Sequence, residues 1–171
     1  MSERTGLVTM KGNPVTLVGD EVNVGDKAPD FTCVDTSLKP VSLSAYRGKT
    51  VVISAVGSLD TSVCDAETRR FNKEAAALGG DVVILTISMD LPFAQKRWCG
   101  AAGVDRVVTL SDHQQASFGR AYGVLIKDVR LLARSVFVVD KGGVVRFVHI
   151  VPEFSNEPDY DAVLDAVRAL T

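Results

Sequence analysis

The order of apolar and amphipathic segments is the feature that most constrains how this chain can fold. Three short apolar runs have the length and composition of buried strands, and they alternate with segments that have helical periodicity. The strand-like runs are residues 51–56, 82–87 and 107–110, and the helical segments are 62–78, 92–101 and 114–122. Successive strand–helix–strand units place parallel strands side by side through right-handed crossovers. The pattern therefore predicts a parallel central sheet.

Hairpin signals lie on either side of this alternation. Residues 135–139 and 144–150 flank Asp140-Lys141-Gly142-Gly143, a typical tight turn. An amphipathic helix at 158–170 follows. A second hairpin is predicted over residues 6–18, with its turn at Lys11-Gly12-Asn13. We therefore expect an α/β fold, a thioredoxin-like mixed sheet flanked by helices, with an N-terminal β-hairpin extension.

Length and charge restrict the possible classes of protein. The 171 residues predict a single domain over 1–171, and 46% hydrophobic residues suffice for a sizeable core. The formal net charge is −2 and there is no basic patch, so nucleic acid is not an expected partner. No apolar run approaches the roughly 18 residues of a membrane span. The N-terminus has no signal-peptide core, so we expect a cytoplasmic protein without a membrane partner.

Cys64 is the first candidate for chemistry. It falls in the predicted first turn of a helix, just after a predicted central strand. Backbone N–H groups are unpaired there and the helix dipole is positive, so a thiolate, the nucleophilic form of cysteine, is stabilised. Thr61 lies three residues earlier, and its hydroxyl could donate to a thiolate or accept from a hydroperoxide. The residues alone leave an alternative open, in which Thr61 or Ser62 only caps the helix and Cys64 is a small buried apolar residue.

A wider set of residues resembles a known family. The segment Ser58-Leu59-Asp60-Thr61-Ser62-Val63-Cys64 resembles the peroxiredoxin motif Pro-x-x-x-Thr/Ser-x-x-Cys, and more narrowly that of the bacterial thiol peroxidase subfamily. The stretches that extend the resemblance are residues 69–72, 88–100 and 156–160. Gly57 stands where the motif has proline. In the family this proline is thought to shield the cysteine, and glycine offers no ring and costs more backbone entropy to order.

The resemblance implies a thiol-dependent peroxidase that acts on hydrogen peroxide and alkyl hydroperoxides. It makes Cys64 the peroxidatic cysteine, Cys99 the resolving cysteine of an intrachain disulfide, and Arg134 the arginine beside the active thiol. Arg130, nearby, is expected to be solvated. The resemblance also implies thioredoxin as the reductant and a homodimer. Because sulfur performs the redox chemistry, no cofactor is expected.

Other readings of the sequence remain open. A thioredoxin-like disulfide reductase would normally carry Cys-x-x-Cys, which Cys64 lacks. A non-enzymatic redox sensor or binding protein could use the same Cys64 and Cys99 pair. Cys33 has no partner signal and is expected to be structural. The three cysteines, His113 and His149 show no metal-ligand spacing, so no metal site is expected.

Overall fold

The larger of two sheets provides the frame for the rest of the chain. The computed structural model describes residues 2–75 and 77–171. Seven strands form this sheet in the order β11-β10-β5-β6-β7-β3-β4. They are β3 Thr32–Val34, β4 Pro40–Ser42, β5 Thr50–Ala55, β6 Val82–Ser88, β7 Val108–Ser111, β10 Ser135–Val139 and β11 Val145–Ile150.

The directions of these strands agree with the sequence pattern. β5, β6 and β7 are parallel neighbours, and β10 pairs with β5 in the antiparallel sense. The β10–β11 hairpin therefore forms an antiparallel edge of a mixed sheet, as predicted, and β3 and β4 form a second antiparallel edge beside β7. All six residues of β5 are buried, which explains why this strand reads as a continuous apolar run.

Helices cover both faces of the sheet. Besides a 3-10 turn at Leu43–Tyr46, they are α1 Ser62–Ala75, α2 Pro92–Ala102, α3 Ser117–Ala121 and α4 Tyr160–Arg168. Residues of α1, α2 and α4 pack on the face that carries Val52 and Val136. α3 packs on the opposite face, around Phe118 and Phe137. Among the residues that the structure describes, no helix is long and apolar enough to cross a membrane.

Three predicted helix boundaries are wrong. α1 ends at Ala75 rather than near residue 78: Ala77 and Leu78 bond back three residues in a turn, while Ala76 lies outside the described residues. α3 begins only at Ser117, because Ala116 before it adopts a left-handed conformation with φ of 51°. α4 begins at Tyr160, after Asp159 has capped it by accepting a hydrogen bond from the Ala162 amide.

The N-terminal hairpin is part of a second sheet. β1 Glu3–Met10 and β2 Asn13–Val18 join through Lys11 and Gly12, whose φ angles of 51° and 80° suit a two-residue hairpin turn. β2 also pairs with β8 Leu125–Ile126, which pairs with β9 Leu131–Leu132. These two-residue strands were not predicted, because they are too short to show a periodic pattern.

Candidate active site

Cys64 lies where the fold turns from the central strand into a helix. β5 ends at Ala55, a loop over residues 57–61 follows, and Cys64 is the third residue of α1. Its side chain is fully buried in a small cluster with Val56 and Leu59, against which Trp98 packs. Cys64 therefore lies, as predicted, in the first turn of a helix that follows a central strand. This placement aims the positive end of the α1 dipole at the thiol.

The loop before Cys64 is held by a carboxylate from the next strand. Asp90, just after β6, accepts from the Ser58 hydroxyl at 2.7 Å and from the Leu59 amide at 2.9 Å. Thr61 lies in the same loop, and its hydroxyl donates to the Ser58 carbonyl at 2.8 Å. Since that bond uses its only proton, the Thr61 oxygen is left as an acceptor.

Arg134 immediately precedes β10 and is almost completely buried, with 1% of its side chain exposed. Its Nη1 donates to Oε2 of Glu67 at 3.4 Å, and its Nε and Nη2 donate to the Phe154 carbonyl at 3.2 and 2.9 Å. Glu67 lies three residues after Cys64, so Arg134 meets α1 within one turn of the thiol. These three bonds occupy three of the five guanidinium donors, and two N–H groups remain for a ligand.

Glu67 is the buried acid of the site. None of its side chain is exposed; Oε2 accepts from Arg134 and from the Ser54 hydroxyl, each at 3.4 Å, and Oε1 has no hydrogen-bond partner. Burial raises the pKa of Glu67 from its ordinary 4.5 to about 8, against the opposing influence of Arg134. The carboxyl is therefore able to change its charge beside Arg134 near neutral pH.

Gly57 and Phe154 lie in direct apposition. Gly57 is buried, and a Cβ on it would lie 2.2 Å from Cζ of the Phe154 ring. The same ring lies 5.9 Å from the Arg134 guanidinium carbon. The space beside residue 57, where the motif places a proline side chain, is thus filled by an aromatic ring from the segment after β11.

Cys99 lies on α2 and faces away from α1. Its Sγ is 3.6 Å from the Thr109 hydroxyl of β7, and the side chain is half-buried. The preceding residue, Trp98, instead reaches α1, where its indole donates to Asp65 at 2.8 Å. Successive helical residues point in different directions, so α2 presents Trp98 rather than Cys99 to the Cys64 helix.

Cys33 occupies a different environment. It is buried in β3, and its thiol donates to Oδ1 of Asp112 at 3.4 Å. Burial and the Asp112 charge both raise the pKa of Cys33. All three cysteines are free thiols. Within residues 2–75 and 77–171, no three His, Cys, Asp or Glu side chains come together as a metal-binding group.

The structure thus gathers part of the predicted site and adds residues that the sequence did not reveal. Thr61 lies in the loop that leads into the helix of Cys64, and Arg134 reaches that helix through Glu67. Glu67 could have been found, because it is an acid on the buried side of an amphipathic helix, and such a charge needs a partner. Phe154 gave no local signal, since its contact with Gly57 exists only in the folded chain.

Comparisons with known proteins show the family to which the chain belongs. The family model described as Redoxin matches residues 23–164, and the chain belongs to that family. A thiol peroxidase of Bacillus subtilis is 59% identical over 163 residues, which are 95% of this chain and 97% of that protein. A thiol peroxidase of Halalkalibacterium halodurans is 56% identical over 162 residues, with 95% and 97% covered.

A solved structure extends the comparison to the fold. The crystal structure of a peroxiredoxin-like protein from Aquifex aeolicus superposes with a TM-score of 0.91 at 43% identity, covering 98% of each chain. The resemblance to bacterial thiol peroxidases and the thioredoxin-like fold, both expected from the sequence, are confirmed.

Proposed function

We propose that this protein is a thiol peroxidase that reduces hydroperoxides through Cys64 and returns to its thiol form with electrons from a dithiol. Thiol-dependent peroxide reduction is the activity named for the relatives that are 59% and 56% identical over nearly their whole length. The observation that supports Cys64 as the reacting residue is its placement in the first turn of α1, one turn from the buried Arg134–Glu67 pair.

The first step is the attack of the Cys64 thiolate on one oxygen of the peroxide O–O bond. A sulfur–oxygen bond forms, the O–O bond breaks, and the leaving oxygen takes a proton to become an alcohol or water. Cys64 is oxidised to sulfenic acid and the peroxide is reduced by two electrons. The two unoccupied N–H groups of Arg134 and the amides of the α1 N-terminus supply donors for the charge that develops on the leaving oxygen.

Thr61 orients the substrate in this scheme. Its hydroxyl proton is engaged by the Ser58 carbonyl, so its oxygen accepts the O–H of the hydroperoxide. The Asp90 bonds to Ser58 and Leu59 keep this loop in place.

The second step joins Cys64 to Cys99. The Cys99 thiol condenses with the sulfenic acid, releases water and leaves an intrachain disulfide. Cys99 contacts Thr109 while Trp98 contacts α1, so we expect one or both of the helix ends that carry Cys64 and Cys99 to unwind partly before the two sulfurs meet. A thioredoxin-type dithiol then reduces the disulfide by exchange. Within this proposal the chain works as a cytoplasmic homodimer and uses no cofactor.

The test compares two serine variants with the wild type in a peroxide-consumption assay coupled to thioredoxin and its reductase. Cys64→Ser removes the nucleophile with little change in volume, so turnover should fall to background while the fold is retained by circular dichroism. Cys33→Ser is the matched control, and it should keep wild-type turnover. Turnover of Cys64→Ser at the wild-type rate would overturn the proposal. If the wild type instead forms the disulfide but consumes peroxide at a negligible rate, the result would favour a redox sensor.

A further inference from the structure

We propose that Phe154 is a positioning residue of the peroxide site, whose ring takes over the packing role that the motif gives to residue 57. The ring packs on Gly57 in the loop before Cys64, and it also lies beside the guanidinium of Arg134. This inference rests on the proposed role of Cys64 as the peroxide-reacting residue.

The first argument is the fit between Gly57 and the ring. Gly57 is not among the glycines with positive φ, so its backbone conformation does not require glycine. What excludes a side chain is Phe154, whose Cζ and Cε2 would lie 2.2 and 2.6 Å from an added Cβ. Such distances are far inside van der Waals contact, so residue 57 stays small because the ring fills its space.

The second argument is that Phe154 also holds Arg134. Its carbonyl accepts the Nε and Nη2 protons of Arg134, and its ring lies beside the guanidinium. The Phe154 amide donates to the Thr9 carbonyl of β1 at 2.8 Å, which anchors the segment to the N-terminal hairpin. A single residue therefore connects the Cys64 loop, the active-site arginine and the second sheet.

Removal of the Phe154 ring should increase the conformational freedom of Gly57. Glycine has the largest backbone freedom of any residue. The Asp90 bonds hold Ser58 and Leu59, and the Phe154 ring packs directly on Gly57. If the ring is removed, residues 57–61 gain conformations in which Thr61 and Cys64 are misaligned. The backbone carbonyl that binds Arg134 remains in Phe154→Ala, so this variant tests the ring alone.

A double-mutant cycle on Gly57 and Phe154 tests the proposal in the full chain. The variants are Phe154→Ala, Gly57→Ala and the double, with Gly80→Ala as control, because a Cβ on Gly80 meets no atom within 4 Å. The first oxidation is followed by stopped-flow fluorescence of Trp98, the only tryptophan, which packs against the Cys64 cluster. Thermal melting of each variant, recorded alongside, checks that the measured protein is folded.

Each single variant should oxidise about tenfold more slowly with hydrogen peroxide, since displacement of a reacting group by about an ångström has effects of this size or larger. The Gly57→Ala penalty should disappear in the Phe154→Ala background, where the added methyl has room. Gly80→Ala should react at the wild-type rate. Phe154→Leu, which keeps apolar bulk, should recover part of the rate and serves as the second variant if Phe154→Ala does not fold.

Additive effects of the two substitutions, or a wild-type oxidation rate in Phe154→Ala, would overturn the role of Phe154. A fall in melting temperature without a slower oxidation step would overturn it as well. The proposed function fails on a different result, namely retained turnover in Cys64→Ser, so the two failures are distinguishable.

Discussion

Cys33 and Cys64 are both buried, yet their surroundings have opposite electrical character. Cys64 lies at the positive end of α1, within a turn of the Arg134–Glu67 pair. Cys33 lies in a strand and donates its proton to the carboxylate of Asp112. Since both side chains are buried, their neighbours distinguish them: a carboxylate accepts from Cys33, whereas Cys64 lies at a helix N-terminus. Exposure alone therefore does not distinguish the proposed reactive cysteine, Cys64, from Cys33.

Cys99→Ser has the largest expected effect, because in the proposed mechanism Cys99 resolves the sulfenic acid of Cys64 and Cys33 has no such role. In Cys99→Ser the first oxidation of Cys64 should proceed, since Thr61 and Arg134 are untouched. Thioredoxin-dependent turnover should fall by about a hundredfold or more, and excess peroxide should carry Cys64 on to sulfinic acid. The coupled assay measures the turnover, and intact-mass spectrometry before and after peroxide treatment measures the sulfinic acid. Unchanged turnover would show that another thiol, Cys33 included, resolves the sulfenic acid.

Removing the arginine should make Cys64 behave more like Cys33. Arg134→Met keeps most of the side-chain volume and removes the charge, so the thiolate fraction of Cys64 should fall. Peroxide oxidation should slow by about a hundredfold, comparable to the loss of an oxyanion donor. Alkylation by iodoacetamide at fixed pH, mapped by peptide mass, should slow at Cys64 and not at Cys33. An unchanged Cys64 alkylation rate would place Arg134 outside the thiol's influence.

The expected effect at Glu67 is on stability rather than on the rate of the reaction. Its folded-state pKa of about 8 lies above its ordinary 4.5, so the folded state holds a proton that the unfolded state releases between these values. Stability from this group is therefore complete below the lower value and lost as pH rises through the higher one, by at most about 1.4 kcal/mol per pH unit. Burial is the main cause of this raised pKa; Arg134 and Ser54 oppose it, and the Glu157 charge adds to it.

Urea unfolding of the wild type and Glu67→Gln from about pH 5 to about pH 8 measures this dependence. The difference in unfolding free energy should shift in favour of Glu67→Gln as pH rises, because glutamine does not ionise. A constant difference between the two proteins over this range would contradict the raised pKa.

The elements that could be predicted are those with a strong local pattern. The apolar run at β5, the helix after it and the glycine-rich β10–β11 turn each carry their own signal, and together they define the mixed sheet. Strands β8 and β9 could not be predicted, because two residues have no period. The end of α1 was misplaced because Ala77 and Leu78 continue the helical composition while the chain already turns.

The candidate site also contains residues that the sequence could identify and contacts that it could not. Cys64 and Thr61 lie within one motif and were identified from it, whereas their roles, with those of Cys99 and Arg134, stay predictions. The Asp90 bonds to the loop and the contact of Phe154 with Gly57 depend on which segments the sheet brings together. A motif with proline replaced by glycine looks incomplete in sequence, and the structure shows what fills the space.

Chemical mapping of the first oxidised thiol tests the central claim most directly. The Cys99→Ser protein is treated with one equivalent of hydrogen peroxide in the presence of dimedone, which traps sulfenic acid, and its peptides are identified by mass. The account predicts that the label is found on the peptide that contains Cys64 and not on the one that contains Cys33. Labelling of Cys33, or equal labelling of both cysteines, would contradict it.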